Sequence, residues 1–355
     1  MRIVSVVGAR PQFMKIAALS PLLRKKQEEL IVHTGQHYDF ELSQIFFDQL
    51  KLPKPDFFLG VGSDTNARQA AKMVAALDEL LPKLKPDLVL VYGDTNSTLA
   101  GALASAYNKI PFAHVEAGPR SYQMEMPEEI NRVTADHLAA YLFCPTPQKV
   151  KLLKSERVRG KAVHTGDVML DVTLKFLPLA RQNGIGAKLG VSPGEYAYLT
   201  LHRAENVDTP SRLAKAVRIL ESLKGPIVFP VHPRTRKRLE EFGLLSRVQK
   251  LKNLRFIEPV GYLQSLALLD GARLCLTDSG GLQREAFFLS RPCLILRPKT
   301  EWTELLRGNC SRLVDLEVSK VKRFSSARPG KKKYPLKLFG GGRAAEKIAR
   351  FISAL

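Results

Sequence analysis

Three carboxylates stand at or just past the ends of short apolar runs in the first half of the chain. Asp94 lies in YGDTNST, Glu116 in HVEAG and Glu128 in MPEEINR. Carboxylates on one sheet edge can act as general acid and general base, above all where their surroundings separate their pKa values. Arg132 follows Glu128 by one helical turn and is able to pair with it. A structural reading stays open: Asp94 can cap a helix starting at Thr95 or Asn96, and one of Glu128 and Glu129 can be a solvated first-turn residue. Cations come earlier, in GARPQFMK, where Pro11 suits the first turn of a helix and Arg10 and Lys15 lie near its anion-favouring start. The same segment reads equally as an ordinary strand-to-helix turn with solvated cations. It is not the GxGxxG fingerprint, so no nicotinamide cofactor is expected.

The second half carries a different set. Leu201-His202-Arg203-Ala204-Glu205-Asn206 follows an apolar run directly, and His232-Pro233-Arg234 repeats the arrangement after the next one. His202 can move a proton or hold a phosphate oxygen, though a lone histidine at a strand end is often structural. Thr277-Asp278-Ser279-Gly280-Gly281 opens a helix read as Leu282–Leu289. Its backbone amides and the Ser279 hydroxyl can cradle a phosphate, and Glu285, one turn on, can accept hydrogen bonds from a ribose. The alternative is a capped helix start with flexible glycines. No cysteine and histidine set has zinc spacing, and there is no nucleophile elbow or Walker lysine, so no metal is expected.

These residues need a scaffold, and the apolar patterning describes one. Runs at 3–7, 30–33, 88–92, 112–115 and 141–144 alternate with helical periodicity, as parallel strands buried on both faces do. The alternation restarts after Gly166-Asp167-Val168, with runs at 196–201, 227–230, 254–257, 274–277 and 293–296. Two doubly wound α/β domains joined near residue 168 follow from this, with ligands expected outside the carboxyl ends of the strands. The segment 325–335 reads as an exposed loop, and Gly340–Gly342 precedes a last helix at 344–355.

The 355 residues suit two such domains, and 45% hydrophobic with 25% charged residues is the balance of a soluble globular enzyme. No apolar stretch nears the roughly 20 residues of a membrane span, and no signal-peptide layout opens the chain. Cys144, Cys275, Cys293 and Cys310 form no CxxC pair and read as reduced core thiols, which fits the cytoplasm. The net charge of +21 suits an anionic substrate or a basic surface; with no nucleic-acid motif, a nucleic-acid partner is not expected.

In order and nearly end to end, GARPQFMK, TGQHYD, YGDTNST, HVEAG, MPEEINR, HRAEN, HPR, DSGG and the glutamate of LQREA resemble the non-hydrolysing UDP-N-acetylglucosamine 2-epimerases. The resemblance implies a GT-B-like pair of Rossmann-like domains facing across a cleft, a homodimer, and no cofactor. It also implies elimination of UDP to a bound 2-acetamidoglucal and re-addition with the acetamido carbon inverted. By the same resemblance Asp94, Glu116 and Glu128 match the acidic trio of proton transfer and His202 the functional histidine. Arg10, Lys15 and Arg132 match cations of the diphosphate and catalytic pocket. Ser279, Gly280 and Gly281 resemble the diphosphate cradle, His232 a nucleotide-side contact and Glu285 the ribose carboxylate; Gln36, His37 and Arg203 join the expected UDP-sugar contacts. The expected division is 1–168 with the catalytic acids, 169–339 for UDP, and 340–355 as a helix packing back on the first domain.

Three departures stand out. Gln36-His37-Tyr38-Asp39 lacks the second glutamine of members activated by another UDP-N-acetylglucosamine. Trp302 in Thr300-Glu301-Trp302-Thr303-Glu304 stands where many members have arginine, and with TGQHYD it resembles the subgroup acting on UDP-2,3-diacetamido-2,3-dideoxyglucuronate. Gly118-Pro119-Arg120 replaces a more usual Gly-Leu-Arg. A GT-B glycosyltransferase and a basic binding module without catalysis are the alternatives of other classes, and the acidic trio argues against both.

Overall fold

The computed structural model describes residues 1–36, 52–326 and 333–355; His37 therefore lies outside the described residues. The apolar runs become strands, most of them buried on both faces. They form two separate, wholly parallel sheets. The first contains β1 (Arg2–Val7), β2 (Glu28–His33), β3 (Phe57–Phe58), β4 (Leu88–Tyr92), β5 (Phe112–Val115), β6 (Tyr141–Cys144) and β7 (Lys161–His164), in the order β3-β2-β1-β4-β5-β6-β7. Val4, Val6, Val89 and Val91 are wholly buried in its core. The second contains β8 (Ala197–Thr200), β9 (Ile227–Pro230), β10 (Leu254–Ile257), β11 (Leu274–Thr277), β12 (Cys293–Ile295) and β13 (Ser311–Leu313), ordered β10-β9-β8-β11-β12-β13.

The chain falls into two compact units, Met1–Val172 with Leu336–Leu355, and Thr173–Pro335. Counted within its own unit, each sheet begins 3-2-1-4-5-6, the Rossmann order, with the strand sequence reversing between its first and fourth strands. That crevice lies at the ends of β1 and β4 in the first unit and of β8 and β11 in the second. GARPQFMK and YGDTNST flank the first crevice, HRAEN and DSGG the second.

Strands β3, β7 and β13 were not among the expected runs. All three are sheet edges and only two to four residues long. An edge strand needs no continuous apolar run: Lys161-Ala162-Val163-His164 is only partly covered. Among the described residues, no helix is long and apolar enough to cross a membrane.

Candidate active site

In the first unit the turn after β1 is built by its own helix. Gln12 Oε1 accepts the amides of Gly8 at 2.8 Å and Ala9 at 3.0 Å, while its Nε2 donates to the Tyr92 carbonyl at 3.0 Å. Helix Arg10–Leu23 starts there with Pro11 in its first turn. Arg10 is exposed at its beginning, and desolvation by its surroundings lowers its pKa. Lys15, one turn on, is buried. Its Nζ lies 3.2 Å from Glu116 Oε2 and 2.5 Å from where a Cβ on Gly93 would stand. Glu116 has φ 76°, the left-handed region that a side chain occupies at a cost of about 1–3 kcal/mol and that gathers at functional sites.

The second acid cluster surrounds Arg132, which is buried on helix Pro127–Leu138. Arg132 donates to Asp94 and, at 2.9 Å, to Glu129 Oε2. Glu129 also accepts the amides of Ser121 and Tyr122 and the Ser121 hydroxyl, at 2.8–3.0 Å. The structure separates the alternatives read from the sequence. Thr95, not Asp94, is the cap residue of helix Asn96–Tyr107, and Glu129 is a buried, fully engaged carboxylate. Glu128 is half-buried in the first turn of its helix. Arg132, expected to be able to pair with Glu128, forms ion pairs with Glu129 and Asp94; an i,i+3 carboxylate is as close on the helix surface as an i,i+4 one.

Gln36 accepts the backbone amide of Ser97 at 3.0 Å and its hydroxyl at 2.7 Å, so its side-chain oxygen serves the start of helix Asn96–Tyr107.

In the second unit Asp278 organises the crevice. Fully buried at the end of β11, it accepts the amides of His202 at 3.1 Å and Arg203 at 3.0 Å and the side-chain amide of Asn206 at 3.1 Å. The His202 ring lies 5.6 Å from the His232 ring. Desolvation, with Arg203 and Arg234 nearby, lowers the His202 pKa although Asp278 opposes the shift. The side chain is 37% exposed, so solvent tempers the effect. His232 caps helix Pro233–Glu241, its Nδ1 accepting from the Arg234 amide at 3.2 Å.

Helix Gly280–Phe288 begins two residues before the expected Leu282 because Ser279 is its cap, its hydroxyl accepting from the Leu282 amide. Gly280 faces Glu301 and Trp302: a Cβ there would meet Glu301 Oε1 at 3.3 Å and Trp302 Nε1 at 3.6 Å. Buried Arg297 holds Glu301 at 2.8 Å and Glu205 at 3.0 Å, and Arg203 approaches Glu301 at 3.8 Å. Arg284 stacks on Trp302 with its guanidinium 4.1 Å from the ring centre. Glu285 is buried; the burial of Tyr262 and then the Glu285 charge push the Tyr262 phenol well above its ordinary value.

His202, Arg203, His232, Ser279 and Gly280 thus gather within the second unit, and Lys15 with Glu116 and Asp94 with Arg132 within the first. Sequence reasoning gave Glu129, Asp278 and Glu301 no role in the site, although each is adjacent to a residue it singled out. Their signal was the acid-rich motif itself, which does not say which of two neighbouring acids turns inward.

Two Rossmann-like units, one with carboxylates and cations at its crevice and the other with a serine-capped glycine turn, define a GT-B-like α/β protein of the nucleotide-sugar kind. The family model of UDP-N-acetylglucosamine 2-epimerase matches residues 22–353, and the chain belongs to that family. It is 45% identical over 358 residues to a UDP-N-acetylglucosamine 2-epimerase homolog of Methanococcus maripaludis, covering all of both chains. It is 43% identical over 365 residues to the UDP-2,3-diacetamido-2,3-dideoxy-D-glucuronate 2-epimerase of Pseudomonas aeruginosa, again over both full lengths. The structure of Methanocaldococcus jannaschii UDP-GlcNAc 2-epimerase in complex with UDP-GlcNAc and UDP is similar throughout, with TM-score 0.92, 41% identity and full coverage of both chains.

Proposed function

We propose that the chain is a non-hydrolysing 2-epimerase that interconverts UDP-N-acetylglucosamine and UDP-N-acetylmannosamine. The observation that carries this reading is the full-length likeness to an enzyme solved with UDP-GlcNAc and UDP. In the reaction a base removes the proton on the acetamido carbon. The electron pair forms the double bond of 2-acetamidoglucal, and the anomeric carbon–oxygen bond breaks with its pair leaving on UDP. Re-addition of UDP and protonation on the opposite face invert the centre. The proton is weakly acidic, so a positioned base must act while charge on departing UDP is stabilised. Asp94, Glu116 and Glu128 are the proton-transfer groups in this reading, with Lys15 and Arg132 setting their charge balance. Ser279, Gly280 and Gly281 hold the diphosphate, His202, Arg203 and His232 support it, and Glu285 takes the ribose.

A second reading, the diacetamido-uronate 2-epimerase, is favoured by near-equal identity to the Pseudomonas enzyme and by Trp302 under Arg284. Incubation with each UDP-sugar in deuterated water, without added nicotinamide or metal, tests both. Label at the epimerised carbon of UDP-N-acetylglucosamine supports the first reading. Label only with the uronate replaces it with the second, and label with neither defeats both. The four buried free cysteines support a cytoplasmic setting. A homodimer is part of the same reading, checked by light scattering at twice the chain mass.

A further inference from the structure

Beneath the acids of the first unit lies a buried hydrogen-bonded pair that the proposed chemistry does not use. His114 on β5 and Asp136 on helix Pro127–Leu138 are both wholly buried. His114 Nδ1 lies 2.7 Å from Asp136 Oδ1, and its Nε2 lies 2.7 Å from the Gly93 carbonyl. A carbonyl can only accept, so Nε2 donates to Gly93, and Nδ1 shares its hydrogen bond with the Asp136 carboxyl. The other oxygen of Asp136 accepts from the Gly118 amide at 3.1 Å and from Arg120 at 2.6 Å. Arg120 in turn reaches Glu156 at 2.7 Å. Burial alone would raise the Asp136 pKa, but His114 and Arg120 outweigh it and hold the carboxyl below its ordinary value.

Each contact falls on a segment that carries a proposed catalytic acid. Gly93 precedes Asp94, Gly118 is two residues after Glu116, and helix Pro127–Leu138 carries Glu128 and Arg132. The Gly93 amide also donates to the Val115 carbonyl at 2.9 Å, so β4 and β5 are tied on both sides of the His114 ring. We infer that His114 and Asp136 are positioning residues for the epimerisation, a clamp that sets the spacing of the three acid-bearing segments without touching substrate. The inference rests on the functional reading above. Proton transfer is sensitive to displacements well under 1 Å, whereas a nucleotide held by the second unit is not gripped by this clamp.

The test is a split between turnover and binding. His114→Gln keeps a donor for the Gly93 carbonyl but loses the ring's hydrogen bond to Asp136, and Asp136→Asn removes the carboxylate. Arg120→Lys, a milder change, retains a charge beside Asp136 and covers the case that neither of the first two folds. For each folded variant, kcat, KM and deuterium uptake at the epimerised carbon are measured beside UDP affinity by calorimetry. The expected result is a kcat and an uptake rate reduced at least about 30-fold for His114→Gln or Asp136→Asn, and about threefold to tenfold for Arg120→Lys. KM and UDP affinity stay within about threefold of wild type. Folded variants with kcat within twofold of wild type overturn the inference, as does loss of UDP affinity in parallel with kcat. An active wild type beside equally active variants sinks the clamp alone, whereas a wild type silent on both UDP-sugars sinks the functional reading and the clamp together.

Discussion

Glu116 combines a left-handed backbone, a salt bridge to buried Lys15 and a place at the end of β5. A residue held so specifically is suited to a base whose carboxylate must meet one proton. Glu116→Gln preserves size but removes the proposed base. Turnover is expected to fall on the order of a hundred- to ten-thousand-fold while UDP affinity stays nearly unchanged. Glu285→Ala acts on the other half of the chemistry and is expected to weaken UDP by roughly 1.5–3 kcal/mol, the worth of a charged hydrogen bond to the ribose. Calorimetry with UDP on both variants, beside deuterium uptake, separates the roles. If Glu116→Gln loses UDP as badly as Glu285→Ala, the division is wrong.

At the scale of elements, the crevice depends on how closely β1, β2 and helix Asn96–Tyr107 approach one another. A Cβ on Gly8 would stand 1.9 Å from Thr34 Oγ1 and 2.3 Å from Ser97 Oγ, contacts no side chain tolerates. Gly8→Ala must therefore displace the buried Thr34 and Ser97 hydroxyls or the turn that launches Arg10 and Lys15. A loss of about 1–3 kcal/mol of stability is expected in denaturant titration, with reduced turnover in whatever remains folded. The helix carrying Arg132 is tied to β5 through Asp136, whose pKa is depressed in the folded chain. A depressed carboxyl stabilises the fold above its unfolded pKa of about 3.9 and loses that contribution as pH falls through the lower folded value. The gap in melting temperature between wild type and Asp136→Asn should be widest near neutral pH and narrow below about pH 4. A gap that widens in acid contradicts the sign.

On the scale of the whole molecule, the chain leaves the first unit at Val172 and returns to it at Leu336. The return is secured by specific contacts. Asp171 accepts the amides of Ala344 at 3.1 Å and Ala345 at 2.9 Å, at the start of helix Ala344–Ile352. Near its end Phe351 meets Tyr141 and Phe143 edge-on at 5.5 and 5.4 Å, beside β6. Phe351→Ala is expected to lower stability by about 1–3 kcal/mol, less than a fully buried phenylalanine because the ring is half-covered. Hydrogen exchange should show the loss in the first unit; equal loosening of β8 to β12 would contradict the assignment of this helix. Part of the basic surface is locally balanced. Arg234 and Arg238 pair with Asp208, Arg236 with Glu258 and Arg247 with Glu221, so this basic run is a network of surface ion pairs.

The sequence by itself determined the two-sheet α/β plan and the loops where polar groups gather. Strands buried on both faces must be written as continuous apolar runs, and β4, β5, β6, β9 and β11 have the expected bounds. The family was legible too, because its motifs recur in order along the chain. Tertiary structure decided what spacing cannot encode. Edge strands β3, β7 and β13 exist because a neighbour offers them hydrogen bonds, a condition local pattern does not record. Of two adjacent glutamates, Glu129 is the one drawn into Ser121, Tyr122 and Arg132, since only packing chooses the inward face. His114 and Asp136, 22 residues apart, become partners when helix Pro127–Leu138 lies against β5, and neither carries a motif that announces the other.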